Sequence, residues 1–313
     1  MKAVQLKQYG GNEALDLVDV SKPILKDGQI LVEVYAASIN PFDLAVRAGF
    51  IAKMIPQLPI TIGGDFSGVV LAVAPQVTDV IVGDKVYGSA MVLTGGSGAF
   101  AEMASANLAN SATKPKTINF QEAAALPLVG SSVLQALLEH IKLQRGQKIL
   151  IHGGAGGIGH IAIQVAKELG AFVATTVSTD DVAFAQSLGA NEVIDYKKQD
   201  FTKIVKDVDG VFSTVAGEVI DKSFPVLKRG GVLVSMLGQP SEELGKRYGI
   251  TVIGQQTRTT TEHLNRLTQL VDSKKVKVNI EKVFAISDVR QAFEYQQTGH
   301  PRGKVVLKIK DEH

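Results

Sequence analysis

Residues 149–159 read ILIHGGAGGIG, five glycines in seven residues directly behind a short apolar run. No other stretch limits the choice of fold so tightly. Gly154, Gly156 and Gly159 satisfy G-x-G-x-x-G. The motif follows a strand-like run, Lys148–Ile151, and opens a helical pattern with Ile161, Val165 and Leu169 on one face. Without Cβ atoms, such a turn brings backbone N–H groups against a pyrophosphate, and the positive end of the helix faces the negative charge. Gly154, Ala155, Gly156, Gly157, Ile158 and Gly159 are therefore the expected phosphate-binding residues of a dinucleotide site. The alternative is a tight strand-to-helix turn with no ligand.

The flanking chain decides in favour of the first reading. Downstream, strand-like FVATTV, helical DDVAFAQSLGA, strand-like EVIDY and GVFSTV, a helix near Val219–Leu227, and strand-like GVLVSML and ITVIGQQ follow one another. Alternation of this kind implies a parallel sheet covered by helices on both faces. Upstream, KAVQLKQYG, QILVEVYAASIN and SGVVLAVAP are β-rich and separated by turn clusters such as KDG and VGDKVYG, with one turn of helix near Pro41–Arg47. After residue 258 a helix, TEHLNRLTQLVDS, leads to VKVNIEKVFAI and a final strand, KVVLKI, expected to rejoin the N-terminal β-rich part. The expectation is an α/β protein with a β-rich domain from residues 1–120 and 259–313 and an inserted doubly wound domain from 121–258.

Composition narrows the chemistry. The chain of 313 residues has no cysteine, which excludes disulfides, iron–sulfur clusters and thiolate zinc sites. The six histidines, His140, His152, His160, His263, His300 and His313, show no H-E-x-x-H spacing and read as surface or internally satisfied residues. A net charge of +2 gives no electrostatic case for nucleic acid or membrane partners. The N-terminal MKAVQLKQYGGNEALDL lacks the apolar core of a signal peptide, and a cytoplasmic location is expected. There is no G-x-x-x-x-G-K-[ST], and no tyrosine is followed four residues later by lysine, so neither a P-loop nor a short-chain dehydrogenase pattern is present.

The coenzyme can be read from the ends of the next two strands. Dinucleotide folds that favour NAD place an acid at the end of the second strand, against the ribose 2′-OH. Here that strand ends Thr175-Thr176-Val177-Ser178. Thr176 and Ser178 leave room for a 2′-phosphate, which favours NADP(H). Asp180 and Asp181 follow at once and admit two readings, as helix caps or as ribose ligands that would favour NADH. Tyr196 and Lys197, ending the third strand, offer a phenol and a cation to the phosphate, or form a solvated strand end.

Several stretches, in order, carry a family resemblance over essentially the whole chain: SINPFDLAVRAG, PITIGGDFSGVV, VGDKVYG, GAFAEMA, AAALPLVGSSVLQAL, GGAGGIG, SLGANEVIDY and PRGKVVLKI. Together they resemble the medium-chain dehydrogenase/reductase superfamily, in its zinc-free branch of quinone oxidoreductases and 2-alkenal (enone) reductases. The resemblance implies a GroES-like β-rich catalytic domain with an inserted Rossmann domain. It also implies an NADPH-dependent enzyme acting on a small quinone or enone, and a homodimer joined through ITVIGQQ. Asn40 and Gly64 stand where zinc-dependent members carry a cysteine and a histidine, so no metal is expected.

By the same resemblance Asn40, Asp43 and Ser132 are the catalytic candidates. Asn40 either donates to substrate or coenzyme or shapes the turn before Pro41. Asp43 orders the backbone or a neighbouring cation such as Arg47. Ser132 faces the nicotinamide or caps a helix. Leu237 and Gly238 approach the nicotinamide by backbone, and Lys304 belongs to the family's Gly-Lys pair near the coenzyme, or is a solvated charge. Where many relatives carry a tyrosine this chain has Phe50, which cannot donate a hydrogen bond. With Phe42, Ile51 and Met54 it suggests an apolar substrate mouth. The competing readings are an NADH-preferring carbonyl or alcohol oxidoreductase of the same fold, and a nucleotide-binding protein with little turnover.

Overall fold

The computed structural model describes residues 1–55, 57–298 and 300–312; His313 lies outside them. Two compact units are present, one from residues 1–128, 259–273 and 278 onward, the other from 129–258 and 274–277.

The second unit is built on six strands, β1 (Lys148–His152), β2 (Phe172–Val177), β3 (Glu192–Asp195), β4 (Val208–Ser213), β5 (Leu227–Ser235) and β6 (Thr251–Gly254). They lie in the order β3-β2-β1-β4-β5-β6, every neighbour parallel. Ile149, Leu150 and Ile151 of β1 are buried, as a strand covered on both faces requires. The order reverses between β1 and β4, so the ends of these strands form the switch point at which open α/β sheets take their ligands. The glycine run leaves β1 at that point and enters helix Gly159–Glu168, which buries Ile161, Ala162, Ile163, Val165 and Ala166.

The first unit contains a seven-stranded sheet. Strand Gln29–Ile39 is central and pairs antiparallel with Asp65–Val73, Met103–Asn107 and Lys304–Lys308. The C-terminal strand thus returns to the N-terminal sheet, Val305 opposite Ile39, and strand Ile280–Ala285 adds parallel to its outer side. Leu6, Ile30, Val32, Phe66, Phe100, Phe293 and Leu307 form part of the core.

Three local expectations are corrected. The region 219–227 is not one helix: it is helical over Val219–Lys222, tightens to a 3₁₀ turn over Phe224–Val226 around Pro225, and becomes strand at Leu227. Helix Glu242–Tyr248 was not expected, although Ser241 caps its start and Gly249, at φ 69°, ends it. Helix Val289–Thr298 was not expected either, because its sequence, VRQAFEYQQT, carries few apolar residues. Val289, Ala292 and Phe293 are nonetheless fully placed in the core at helical spacing. The change of unit falls at Val129. Helix Phe120–Ala124 stays with the first unit because Phe120 stacks on Tyr35 at 4.4 Å between ring centroids.

Phe293 meets Phe100 edge-to-face at 6.1 Å, and the Arg47 guanidinium lies 5.8 Å over its ring. Phe293→Ala should therefore cost about 3–5 kcal/mol of stability. Denaturant unfolding checks this; a loss below about 1 kcal/mol, the level of a surface substitution, would contradict the placement of the helix.

Candidate functional site

The three motif glycines are needed for different reasons. A Cβ on Gly154 would stand 2.1 Å from Thr175 Oγ1, and one on Gly159 would stand 2.1 Å from the Gly153 carbonyl oxygen. Both are demanded by the fold, which packs loop, strand and helix too closely for a side chain. Gly156 is different: its Cβ would meet only the Gly153 oxygen, at 3.5 Å, an ordinary contact. Nothing inside the protein explains the missing side chain there. Its position on the turn that opens helix Gly159–Glu168, at the positive end of the helix dipole, fits a bound phosphate. The loop is anchored from behind, where the Thr176 carbonyl accepts the N–H groups of Gly153 and Gly154, each at 3.2 Å.

At the ends of β2 and β3 the structure revises the sequence reading. The Thr176 hydroxyl is buried and lies 2.9 Å from His152 Nδ1, and Ser178 Oγ donates to Asp181 Oδ2 at 2.6 Å. Both hydroxyls already have partners, so neither stands ready to donate to a ligand. Asp181 is held by that bond and its own N–H, which donates to the Ser178 carbonyl at 3.0 Å, closing a capping turn. Asp195 accepts from Thr179 Oγ1 at 2.7 Å and from the Lys197 N–H at 3.0 Å. Tyr196, at 59% exposure, and the exposed Lys197 present the free phenol and ammonium at this end of the sheet.

Past β5, Leu237 is half exposed and Gly238 adopts φ 94° with open space where a Cβ would point. Ser132 is not a helix cap. It lies inside helix Pro127–Leu134, fully buried, its hydroxyl 2.7 Å from Thr257 Oγ1, while its carbonyl accepts Gln255 Nε2 at 3.0 Å. Thr257 and Gln255 were not singled out in the sequence, where nothing marks them as partners of residues over a hundred positions earlier.

In the first unit a buried polar cluster surrounds Asn40. Its Oδ1 accepts from Lys304 Nζ, which also donates to the Ile39 carbonyl at 2.9 Å; its Nδ2 donates to Asp65 Oδ2 at 2.9 Å. Asp65 further accepts from Ser38 Oγ at 3.2 Å and from the Leu128 N–H at 3.1 Å. Asp43 Oδ2 accepts the Asn40 N–H at 2.8 Å. Asp43 therefore orders the backbone, as one reading held. Arg47 is not its cation but bonds Asn12 Oδ1. Lys304, only 3% exposed, is not a solvated charge, and its ammonium is held within this cluster instead of standing free for a coenzyme. Asp65 was missed, although a lone carboxylate in the β-run GGDFSGVV is a signal: a buried charge needs a partner.

Burial governs the titration of the cluster. It pushes the Asp43 carboxyl up to about 7, with the nearby Asp65 adding to the shift. It raises Asp65 and lowers Lys304, each partly opposed by the other's charge. Nearby, Phe42 and Ile51 pack half-buried against the core, while Phe50 at 84% and Met54 at 63% exposure form an apolar surface.

Two outcomes are expected. Gly156→Val should leave the thermal melt nearly unchanged and abolish dinucleotide binding in a titration, since the side chain enters the ligand's space and not the protein's. Because Asp43 holds its proton to about pH 7 in the folded state but only to about 3.9 unfolded, its contribution is full below pH 4 and is lost as pH rises toward 7. Asp43→Asn should flatten that decline in unfolding free energy between pH 4 and 8; a parallel slope in both proteins would contradict it.

Comparison with known proteins agrees with this geometry. Residues 26–116 match the alcohol dehydrogenase GroES-like domain and residues 188–307 match the zinc-binding dehydrogenase family. The NADPH-dependent alkenal/one oxidoreductase of Arabidopsis thaliana chloroplasts is 35% identical over 98% of this chain and 79% of its own length. The quinone oxidoreductase of Coxiella burnetii superposes with a TM-score of 0.92 at 37% identity, covering 99% of both chains. That of Escherichia coli, solved with NADPH, gives 0.88 at 27% identity over 99% of this chain and 100% of that one. The zinc of the matched family name does not fit the residues present. There is no cysteine, no group of three histidines or carboxylates could hold a metal among the described residues, and Lys304 already carries positive charge beside Asn40. The chain belongs to the medium-chain dehydrogenase/reductase superfamily, in its zinc-free quinone oxidoreductase and enone reductase branch.

Proposed function

We propose that this protein is an NADPH-dependent oxidoreductase that passes hydride to a quinone or to the β-carbon of an α,β-unsaturated carbonyl. The observation that carries the coenzyme is Gly156, a glycine that the protein's own packing does not require, set where the strand order reverses. The similarity to an NADPH-dependent alkenal/one oxidoreductase supports both coenzyme and acceptor class.

When bound, the nicotinamide coenzyme supplies the hydride. The protein's residues do the rest. The N–H groups from Gly157 to Gly159 would receive the pyrophosphate, while that of Gly156 closes the turn onto the Gly153 carbonyl. Tyr196 and Lys197 would receive the 2′-phosphate, since the Thr176 and Ser178 hydroxyls are already bonded to His152 and Asp181. Of the two carboxylates that would favour NADH, Asp180 is exposed and Asp181 is held by Ser178. Leu237 and Gly238 offer backbone to the nicotinamide. The Asn40 amide has two N–H groups, of which the bond to Asp65 uses one; the other is the proposed donor to the developing oxyanion. A single neutral donor of this kind contributes about 10²–10³ in rate, without the full positive charge that a Lewis acid brings to an unactivated carbonyl. The acceptor must already be electrophilic, as a quinone or enone is. Phe50 and Met54 favour an apolar one. We also propose a homodimer through β6, an edge strand whose Val252 and Ile253 are half exposed.

Oxidation of NADPH and NADH, compared against an ortho-quinone, a para-quinone, a short enone and a saturated aldehyde, tests this reading. Turnover should be fast with NADPH and the first three acceptors, poor with the aldehyde, and indifferent to chelators. A preference for NADH would return the ribose to Asp180 or Asp181. Tight NADPH binding without turnover would leave a nucleotide-binding protein.

A further inference from the structure

His152 ends β1, immediately before the glycine loop, and its ring is 0% exposed. Its two nitrogens each face one hydroxyl: Nδ1 lies 2.9 Å from Thr176 Oγ1 and Nε2 lies 3.0 Å from Ser223 Oγ. The direction of every proton follows. Ser223 Oγ is 2.6 Å from the Val219 carbonyl, which has no proton to give, so Ser223's single proton sits in that bond. Ser223 can then only accept from His152, which places the ring proton on Nε2. Nδ1 is left with a lone pair, and the Thr176 hydroxyl must donate to it. Burial pushes the imidazole down to about 3, so the ring stays neutral at physiological pH.

The rest of the neighbourhood shows what this chain of bonds holds. The Thr176 carbonyl accepts the Gly153 and Gly154 N–H groups, so the entry to the phosphate loop hangs on this residue. The carbonyl of His152 itself accepts the Thr214 N–H at 3.3 Å and Thr214 Oγ1 at 2.7 Å, just past the end of β4. One side chain and its own backbone therefore join the ends of β1, β2 and β4, the three strands around the switch point, to the turn at Ser223.

We propose that His152 is a positioning residue for the coenzyme: it holds Thr176, and through Thr176 the start of the phosphate loop, and by taking that residue's only hydroxyl proton it removes Thr176 from recognition of the 2′-phosphate. This rests on the proposed function, in which the loop binds NADPH. The competing account is a histidine that only fills the core, where it also meets Phe201 edge-on at 4.8 Å.

The two accounts separate in the full-length protein by titration with NADPH, together with thermal melts and steady-state kinetics. Thr176→Val keeps the backbone carbonyl and the shape but removes the bond to Nδ1. His152→Phe removes both ring bonds. His152→Asn keeps an acceptor close to the place of Nδ1 and loses only the donor to Ser223. Thr176→Val and His152→Phe should each weaken NADPH binding about tenfold, the value of one hydrogen bond at the loop. The double variant should be no weaker than the worse single one. His152→Asn should bind NADPH nearly as the unaltered protein does, and turnover at saturating NADPH should change little throughout. Unaltered NADPH affinity in Thr176→Val and His152→Asn, with only the melts lowered, would overturn the proposal, whether or not His152→Phe folds. Failure of the unaltered protein to bind NADPH would overturn the function reading and this proposal with it.

Discussion

The amide of Asn40 is the constraint on which the N-terminal unit depends. Its oxygen faces the Lys304 ammonium and its nitrogen faces the Asp65 carboxylate, so the amide dipole lies in line between two buried opposite charges. The three residues sit on neighbouring parts of one sheet. Lys304 begins the C-terminal strand, Asn40 follows Ile39 at the end of the central strand, and Asp65 begins the strand on the other side. Removing one member of a buried charged set costs about 3–5 kcal/mol, as much as truncating a core aromatic. The return of the C-terminal strand to the N-terminal sheet is therefore fixed by polar as well as apolar contacts. The same bonds fix which way the amide points, because a flip would set an N–H against the ammonium and an oxygen against the carboxylate.

The second unit solves a different problem, that of holding an anion with backbone alone. Its three motif glycines divide into two kinds. Gly154 and Gly159 permit close packing of loop, strand and helix, and would be needed without any ligand. Gly156 is surplus to the fold and is accounted for by what lies outside it. A motif that reads as one signal is thus two physical requirements, and only one of them concerns binding.

What the sequence reveals follows the distance over which each feature is determined. The glycine loop, its flanking strand and the alternation behind it are local, and the six-stranded order agrees with them. The return of KVVLKI to the first sheet was legible because a lone β-run needs a partner. Side-chain direction was not. Thr176 and Ser178, at a strand end, were read as leaving room for a 2′-phosphate, and the sequence did not show that their hydroxyls bond His152 and Asp181. Lys304 admitted two readings, beside the coenzyme or solvated as lysine generally is; its partner Asn40 lies 264 residues away along the chain. The helix Val289–Thr298 was hidden for a related reason. Its few apolar residues suffice only because Phe100 and Arg47, brought in from other elements, complete the packing around Phe293.

The two ends of the chemistry follow from these arrangements. By resemblance Asn40 and Gly64 stand where zinc-dependent members of the superfamily carry ligands, and here Lys304 bonds the Asn40 amide oxygen. An ammonium bonded to the amide oxygen draws electron density from the amide and makes its N–H groups better donors. The carboxylate of Asp65 opposes this, and the Asp43 carboxyl, pushed up to about 7 by burial, adds a second negative charge only toward alkaline pH. With the two charges opposed, the amide remains a neutral donor and brings none of the full charge of a metal ion. In the proposed reaction such a donor can favour an enolate or a hydroquinone anion, in which conjugation already disperses the charge. It cannot stabilise a localised alkoxide to the same degree. In the proposed reaction, a preference for conjugated acceptors follows from the buried charges around one side-chain amide.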